Sequence, residues 1–326
     1  MVSWRWGLLA ATWAVLQAAA PARAQWTVTV LHPAASTSSE ALGASGAQQV
    51  GYAMIGSAVH AGLWRGTAAS WVDLSPVGST GSYADGASGT QQVGYATIGG
   101  VNHAGLWSGT AASWVDLHRV GSTQSTATAV SGAQQVGFAV IGGVFHAGLW
   151  SGTAASWVDL HPAGPSYSYA EGTSGTQQVG IAAVNSASHA CLWNGTPASW
   201  VDLHPAAASS SSASGTTGTQ QVGWAQVGGV YRASLWSGTA ASWVDLNPAG
   251  STNSFAYGIC GTQQVGNARI AGVEHASLWS GAAASWEDLS LSLPGGARDL
   301  EPELRNQHLD RRLGHSCRWV RIQCSP

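Results

Sequence analysis

The chain has 326 residues, of which 45% are hydrophobic and only 8% are charged, with 12 basic residues against 15 acidic ones. This balance excludes a nucleic-acid-binding protein, which needs clustered positive charge, and the high apolar content excludes an intrinsically disordered chain. Beyond the N-terminus no run of about 18 apolar residues occurs, so we expect no membrane span in the mature chain.

Residues 1–24 have the pattern of a secretory signal peptide. Arg5 provides the positive charge, residues 7–20 form a short apolar stretch, and Ala22-Arg23-Ala24 is a small-x-small cleavage site. Cleavage after Ala24 is predicted. The mature protein is therefore expected to be exported, either secreted, periplasmic or held at the cell surface.

Residues 25–290 contain six copies of one unit, without an insertion or deletion between them. A Gln-Gln pair and two tryptophans recur at a constant step of 43 residues. The pair begins at Gln48, Gln91, Gln134, Gln177, Gln220 and Gln263. A fixed period of this length is the signature of a repeat architecture in which neighbouring units bury each other.

Each unit shows four short β-strand patterns separated by Gly, Ser and Pro. In the second unit these patterns cover about residues 82–88, 91–97, 102–107 and 112–117, and Gly99-Gly100 forms a predicted hairpin turn. Four strands in about 40–45 residues is the size of a propeller blade. We therefore predict an all-β, six-bladed β-propeller, with a seven-bladed propeller and a β-solenoid as alternatives. Residues 27–31 match the last strand of a unit and could close the ring.

The repeated element Gly-x-His-Ala-x-Leu-Trp, followed by Trp-x-Asp-Leu, resembles the bacterial extracellular HAF repeat family, named for a His-Ala-Phe motif. Here it reads His60-Ala61-Gly62-Leu63-Trp64 and recurs in the later units, although the fifth unit carries Arg232 in place of His. The resemblance implies export and a repeat-built β architecture, without catalytic residues. The Phe of the motif is replaced throughout, by Gly62, Gly105, Gly148, Cys191, Ser234 and Ser277.

Comparison of the six units shows alternating constant and variable positions. Ser82 and Ala84 recur in every unit, whereas the residues between and beside them differ freely. Variation at every second position indicates a strand with one packed face and one free face. Either this face drifts neutrally, or it is a modular binding surface. The candidate binding residues on it are Tyr52, Tyr83, Tyr95, Phe138, Phe145, Trp224 and Tyr231.

A histidine and an aspartate also recur, and we predict that they pair within each unit to satisfy buried polar groups and fix the register. A catalytic site would need a constellation that departs from the repeat, and a metal site would need ligands at close spacing. The sequence shows neither, so no cofactor is predicted. The recurring residues are His60, His103, His146, His189 and His275 with Asp73, Asp116, Asp159, Asp202, Asp245 and Asp288.

The paired tryptophans, such as Trp64 and Trp71, are either blade core or exposed platforms for sugars. Residues 291–326 form a charged tail that departs from the repeat, either as a natural extension or through a shifted reading frame. Cys317 and Cys324 could pair within it. The sequence thus predicts an exported, non-catalytic binding or surface-interaction module. A glycan-binding propeller and an extracellular enzyme are the alternatives. The candidate partners are a glycan and a cell-surface protein.

Overall fold

The computed structural model describes residues 29–290, which form six four-stranded antiparallel sheets arranged in a ring. Each sheet is one sequence unit, and its strands are joined in chain order. The chain is therefore a six-bladed β-propeller, as the repeat predicts. The predicted signal peptide (1–24) and the charged tail (291–326), with Cys317 and Cys324, lie outside the described residues.

The strands recur at equivalent positions in blades 1 to 6. The first strands are Ser36–Ser45, Ser79–Ser88, Ser125–Ser131, Ser168–Thr173, Ala208–Thr216 and Ser251–Cys260. The second strands are Gln48–Ile55, Gln91–Ile98, Gln134–Ile141, Gln178–Val184, Gln221–Val227 and Gln263–Ile270. The third strands are Ala58–Trp64, Val101–Trp107, Val144–Trp150, Ala187–Trp193, Val230–Trp236 and Val273–Trp279. The fourth strands are Val72–Asp73, Val115–Asp116, Val158–Asp159, Val201–Asp202, Val244–Asp245 and Glu287–Asp288.

The hairpin turn is as predicted, but the fourth strand is shorter than the sequence pattern indicates. Gly99 and Gly100 both have positive φ, at 60° and 83°, which a two-residue hairpin turn of this type requires. In place of the strand predicted from residue 112, a 3-10 turn occupies Ala111–Ser113. The Ser113 hydroxyl accepts the Ser108 amide at 2.7 Å and so holds this turn. The other turns are Ala68–Ser70, Ala154–Ser156, Pro197–Ser199, Ala240–Ser242 and Ala283–Ser285.

The hydrophobic core lies between consecutive blades. Val50 and Leu63 of blade 1 pack against Ala84 and Trp107 of blade 2, and all four are fully buried. The same cluster recurs between later blades. Because the first strands of consecutive blades also pack against each other, these strands line the axis of the ring.

A hydrogen bond ties each blade to the next at five boundaries. The hydroxyl of a buried serine on the first strand accepts a main-chain amide from the third strand of the preceding blade, at 2.8–2.9 Å. This bond explains why the sequence keeps Ser-x-Ala in every unit. The donor and acceptor pairs are Ala61–Ser82, Ala104–Ser125, Ala147–Ser168, Ala190–Ser211 and Ala233–Ser254.

The boundary between blade 6 and blade 1 differs from the other five. Among the described residues, no strand of blade 6 packs against blade 1 as the other neighbours pack. The Ala276 amide donates to Ser290 of its own unit at 2.9 Å, while the Ser39 hydroxyl shares a hydrogen bond with His32. Val265 is partly exposed, although its five equivalents are fully buried. We call this boundary the seam.

The predicted closure by residues 27–31 is not found in the described part of the chain. Thr29–Leu31 is irregular and pairs with no strand, and blade 6 already contains its own fourth strand, Glu287–Asp288. The described part of the N-terminal partial copy, residues 29–31, therefore adds no strand to the six blades.

Candidate functional site

The two ends of the propeller differ in how much the six units vary. One end carries the turns between first and second strands and the connections from third to fourth strands. The opposite end carries the turns between second and third strands, such as Gly56-Ser57. The strand register places the variable positions towards this second end, because Tyr52 lies opposite Glu40 and Met54 lies opposite Val59. We call it the variable end, formed by Glu40, Tyr52, Met54, Val59 and their equivalents in the other units.

The opposite end, which we call the constant end, is built from repeated contacts that serve the scaffold. The Gln92 side chain accepts the Gly109 amide at 2.7 Å and donates to Gln48 of the preceding blade at 2.8 Å. Gln92 is fully buried. The Gln-Gly contact recurs in all six blades. The invariance of this end therefore follows from packing and hydrogen bonding.

The recurring histidines and aspartates do pair, and the pairs are partly buried. The Nδ1 of His103 lies 2.8 Å from Asp116 Oδ2, and about a fifth of the histidine side chain is exposed. The same contact, at 2.7–2.8 Å, occurs at His60, His146, His189 and His275. In blade 5, Arg232 takes the place of the histidine on Asp245 at 2.7 Å. The other Asp116 oxygen accepts the His118 amide at 2.8 Å. This contact holds the chain as it leaves the fourth strand.

A second histidine packs on the first in blades 2, 3 and 4, stacked in blades 2 and 4 and tilted in blade 3. The His103 and His118 rings are 4.0 Å apart at 15°, and the later pairs lie at 3.8–4.3 Å. His118 Nε2 donates to the Ser122 carbonyl, and its Nδ1 faces the Ser125 hydroxyl at 2.9 Å. Burial, followed by the neighbouring histidine, lowers the pKa of His118, His161 and His204. These histidines therefore join the bond network between blades as neutral rings.

The tryptophans belong to the scaffold. Trp64 and its five equivalents are at most 1% exposed, so the interpretation of these rings as sugar platforms is wrong. The second tryptophan of each unit, such as Trp71, is partly buried. Its ring covers the position at which the HAF motif has Phe, here Gly62. A Cβ on Gly62 would overlap the Trp71 ring, whereas in blade 5 the Trp243 indole donates to Ser234 at 2.8 Å. Small residues at this position are required by the covering ring.

The seven candidate binding residues all lie at the variable end, where they gather in three clusters between blades. Tyr52 contacts Tyr83, which stacks on Tyr95. Phe138 contacts Phe145 at 5.4 Å between ring centroids. Trp224 contacts Tyr231 at 5.1 Å, and Tyr231 is 36% exposed. The clusters lie at the boundaries of blades 1 and 2, 3 and 4, and 5 and 6.

Four further aromatic residues, Tyr167, Tyr169, Phe255 and Tyr257, complete two of these clusters, and the sequence analysis did not include them among the candidates. Tyr169 contacts both Phe138 and Phe145, Tyr167 contacts Tyr169, and Phe255 contacts Tyr231. Tyr169 and Phe255 occupy the register position of Tyr83, so the repeat alignment alone would have found them.

Several polar groups at the variable end are paired within or beside the clusters. The Tyr52 hydroxyl donates to Glu40 at 2.9 Å, and burial and this carboxylate raise the pKa of Tyr52 above its ordinary value. Thr97 donates to Asn102 at 2.9 Å. At the seam the equivalent positions are charged or amide-bearing, since Asn267 donates to Glu274 at 2.7 Å. The chemistry of this end therefore changes from blade to blade.

Two carboxylates lie on the inner strands, at bulges where one residue is skipped in the pairing. Glu171 accepts hydrogen bonds from Ser212 at 3.1 Å and Ser214 at 3.2 Å, and burial raises its pKa although these bonds oppose the shift. Burial raises the pKa of Asp85 to about 7. Residues 29–290 contain no group of three or more side chains that could hold a metal ion.

The chain is thus a six-bladed propeller with a constant end and a variable end. No protein-family model and no curated protein matches the chain. Among solved structures, TolB from Acinetobacter baumannii is 12% identical with a TM-score of 0.45, covering 63% of this chain and 53% of that one. A TolB-type protein from Agrobacterium tumefaciens is 13% identical with a TM-score of 0.49, covering 63% and 81%.

A puromycin hydrolase is 10% identical with a TM-score of 0.38, covering 78% of this chain and 54% of that one. The chain thus spans only about half the length of the hydrolase and of the Acinetobacter protein. These likenesses extend to the fold alone and carry no argument about activity or partner. No helix within residues 29–290 is long and apolar enough to cross a membrane.

Proposed function

We propose that this protein is an exported, non-catalytic binding module whose ligand meets the variable end. The observation that carries the proposal is the contrast between the two ends. The glutamines, serines and tryptophans of the constant positions are used in packing and in bonds between blades. The side chains that differ between units gather at one end, and most of them are partly exposed. The buried exceptions are Thr126, Val140, Ile181, Ala183 and Ser212.

Export is proposed from the predicted signal peptide and from the resemblance to the HAF repeat family. The absence of catalysis is proposed because the His-Asp contacts recur in five blades and each also shapes the chain after the fourth strand. A catalytic group would be expected to depart from the repeat.

The test uses the full exported protein on a glycan array and on a peptide array. Six variants each carry, at the variable end of one blade, the residues of the neighbouring unit, which the same scaffold already accommodates. A control variant changes the constant end, Ser151→Asn, because the fourth unit has Asn194 at this position.

We expect binding on one array, a loss of about tenfold or more in at least one of the six variants, and unchanged binding in the control. Absence of binding on both arrays would contradict the proposal. Unchanged binding in all six variants would also contradict the proposal.

A further inference from the structure

The aromatic cluster between blades 3 and 4 has the properties of a ligand site. Its four rings are Phe138, Phe145, Tyr167 and Tyr169, with contacts between ring centroids of 4.9–5.5 Å. All four side chains are partly exposed. The cluster therefore presents aromatic surface at the variable end without being closed into the core.

The polar groups beside these rings are uncharged. The Tyr167 hydroxyl and the Ser188 hydroxyl are 3.0 Å apart and share one hydrogen bond, which leaves a donor and several acceptor positions for a ligand. Within residues 29–290 none of the ion pairs includes one of the four ring residues or Ser188. Burial, and then Tyr167, raise the pKa of Tyr169 to about 12, so Tyr169 remains a neutral donor at physiological pH.

The two other clusters differ in chemistry from this one. The Tyr52 cluster includes the Glu40 carboxylate. The Trp224 cluster lies beside blade 6, where Arg269 and Glu274 form an ion pair at 4.0 Å. A ligand that needs uncharged surroundings is therefore expected at the boundary of blades 3 and 4.

We propose that this cluster binds a neutral saccharide, with one apolar sugar face on the rings and sugar hydroxyls on Tyr167 and Ser188. Aromatic side chains combine a large apolar face with a polar tip, and a hydroxyl can both donate to and accept from a sugar hydroxyl. The inference rests on the proposed function and names its ligand class.

The repeat provides the variants for the test. Phe145→Asn introduces the residue that blade 2 holds at this position, Asn102, and Tyr169→Thr introduces the blade 3 residue, Thr126. Val59→Asn makes the same kind of change at the equivalent position of blade 1. Thermal melts of each variant establish that the propeller remains folded.

Calorimetric titrations of the full exported protein with cellohexaose, chitohexaose and mannohexaose measure the affinity. We expect at least one of these to bind, and we expect Phe145→Asn and Tyr169→Thr each to weaken binding by about tenfold, as loss of one stacking contact implies. The dissociation constant of Val59→Asn is expected to stay within about twofold of the wild-type value.

The inference is overturned if none of the three sugars binds, if both cluster variants bind like the wild type, or if Val59→Asn weakens binding equally. Binding on the peptide array that depends on the variable end, without any sugar binding, would overturn the saccharide site and leave the proposed function intact.

Discussion

The serine that links consecutive blades permits a direct comparison between a packed boundary and the seam. The Ser168 hydroxyl accepts the buried Ala147 amide at 2.9 Å and contacts His161 Nδ1 at 2.8 Å. Ser39 is its equivalent in blade 1, but its hydroxyl contacts only His32. Replacing either serine with alanine removes the same atom from two different environments.

Ser168→Ala leaves a buried amide without an acceptor, which costs about 1–3 kcal/mol. A value of about 2 kcal/mol lowers the melting midpoint by roughly 4–8 °C in a protein of this size. Ser39→Ala removes a hydrogen bond near the surface, so we expect a loss of about 0.5 kcal/mol and a shift of roughly 1–2 °C. The two variants should therefore differ severalfold.

Calorimetric melts of the two variants at one pH measure this difference, with Ser290→Ala as a third variant because Ser290 accepts the Ala276 amide. If blades 6 and 1 pack like the other neighbours in solution, Ser39 accepts that amide instead. Ser39→Ala would then be as damaging as Ser168→Ala, and Ser290→Ala would have little effect. That result would refute the description of the seam.

Three further changes test the scaffold and the inner strands. Gly105→Val should destabilise the protein by about 1–3 kcal/mol, because the valine side chain overlaps the Trp114 ring. Gly105→Ser should destabilise it less, because serine occupies this position in blades 5 and 6. Denaturant titrations compare the free energies of unfolding of the two variants. The lowered pKa of His161 means that the unfolded chain binds its proton first, so stability falls as the pH drops below about 6.5. His161→Asn introduces the residue that follows the fourth strand of blade 5, Asn247. Melts between pH 8 and 5 should show a smaller loss of stability in this variant. An unchanged pH profile would contradict the lowered pKa of His161. The raised pKa of Asp85 has the opposite sign, because the folded state holds the proton up to about pH 7. Asp85→Asn should therefore stabilise the protein at pH 8 and have little effect at pH 4. The gain should be smaller than the roughly 4 kcal/mol that the full pKa shift implies, because Asp85 is partly exposed. Equal melting shifts at both pH values would refute the raised pKa of this carboxyl.

The repeat period and the turn residues were sufficient to predict the blade. Gly99-Gly100 determines the hairpin between the second and third strands. The recurring tryptophans were interpreted either as core or as exposed platforms, and their burial in the structure decides for the core at Trp64 and its equivalents. The fourth strand could not be predicted in length, because the Ser113 hydroxyl folds the preceding residues into a 3-10 turn. Such a bond depends on the third strand and leaves no periodic signal of its own.

The alternation of constant and variable residues was interpreted correctly as two faces but incorrectly as one packed and one free face. Both faces of a blade pack against neighbours, as the buried Ala53 and the contact of Tyr52 with Tyr83 show. Most of the variable residues are partly exposed, because the strand register places them near one end of the propeller. Sequence comparison identified these residues, but their grouping at alternate blade boundaries depends on contacts between different units.

The first and sixth units explain why the seam differs from the packed boundaries. Where blades 3 and 4 join Phe138 to Tyr169, the seam has Asn267 on one side and Glu40 on the other, with Arg269 and Glu274 beside them. Packing this boundary like the others would bury carboxylates, which is costly unless each is fully paired. Terminal repeats in an array usually carry polar outer faces for this reason. The polar residues of these two units therefore disfavour packing of the seam like the other boundaries.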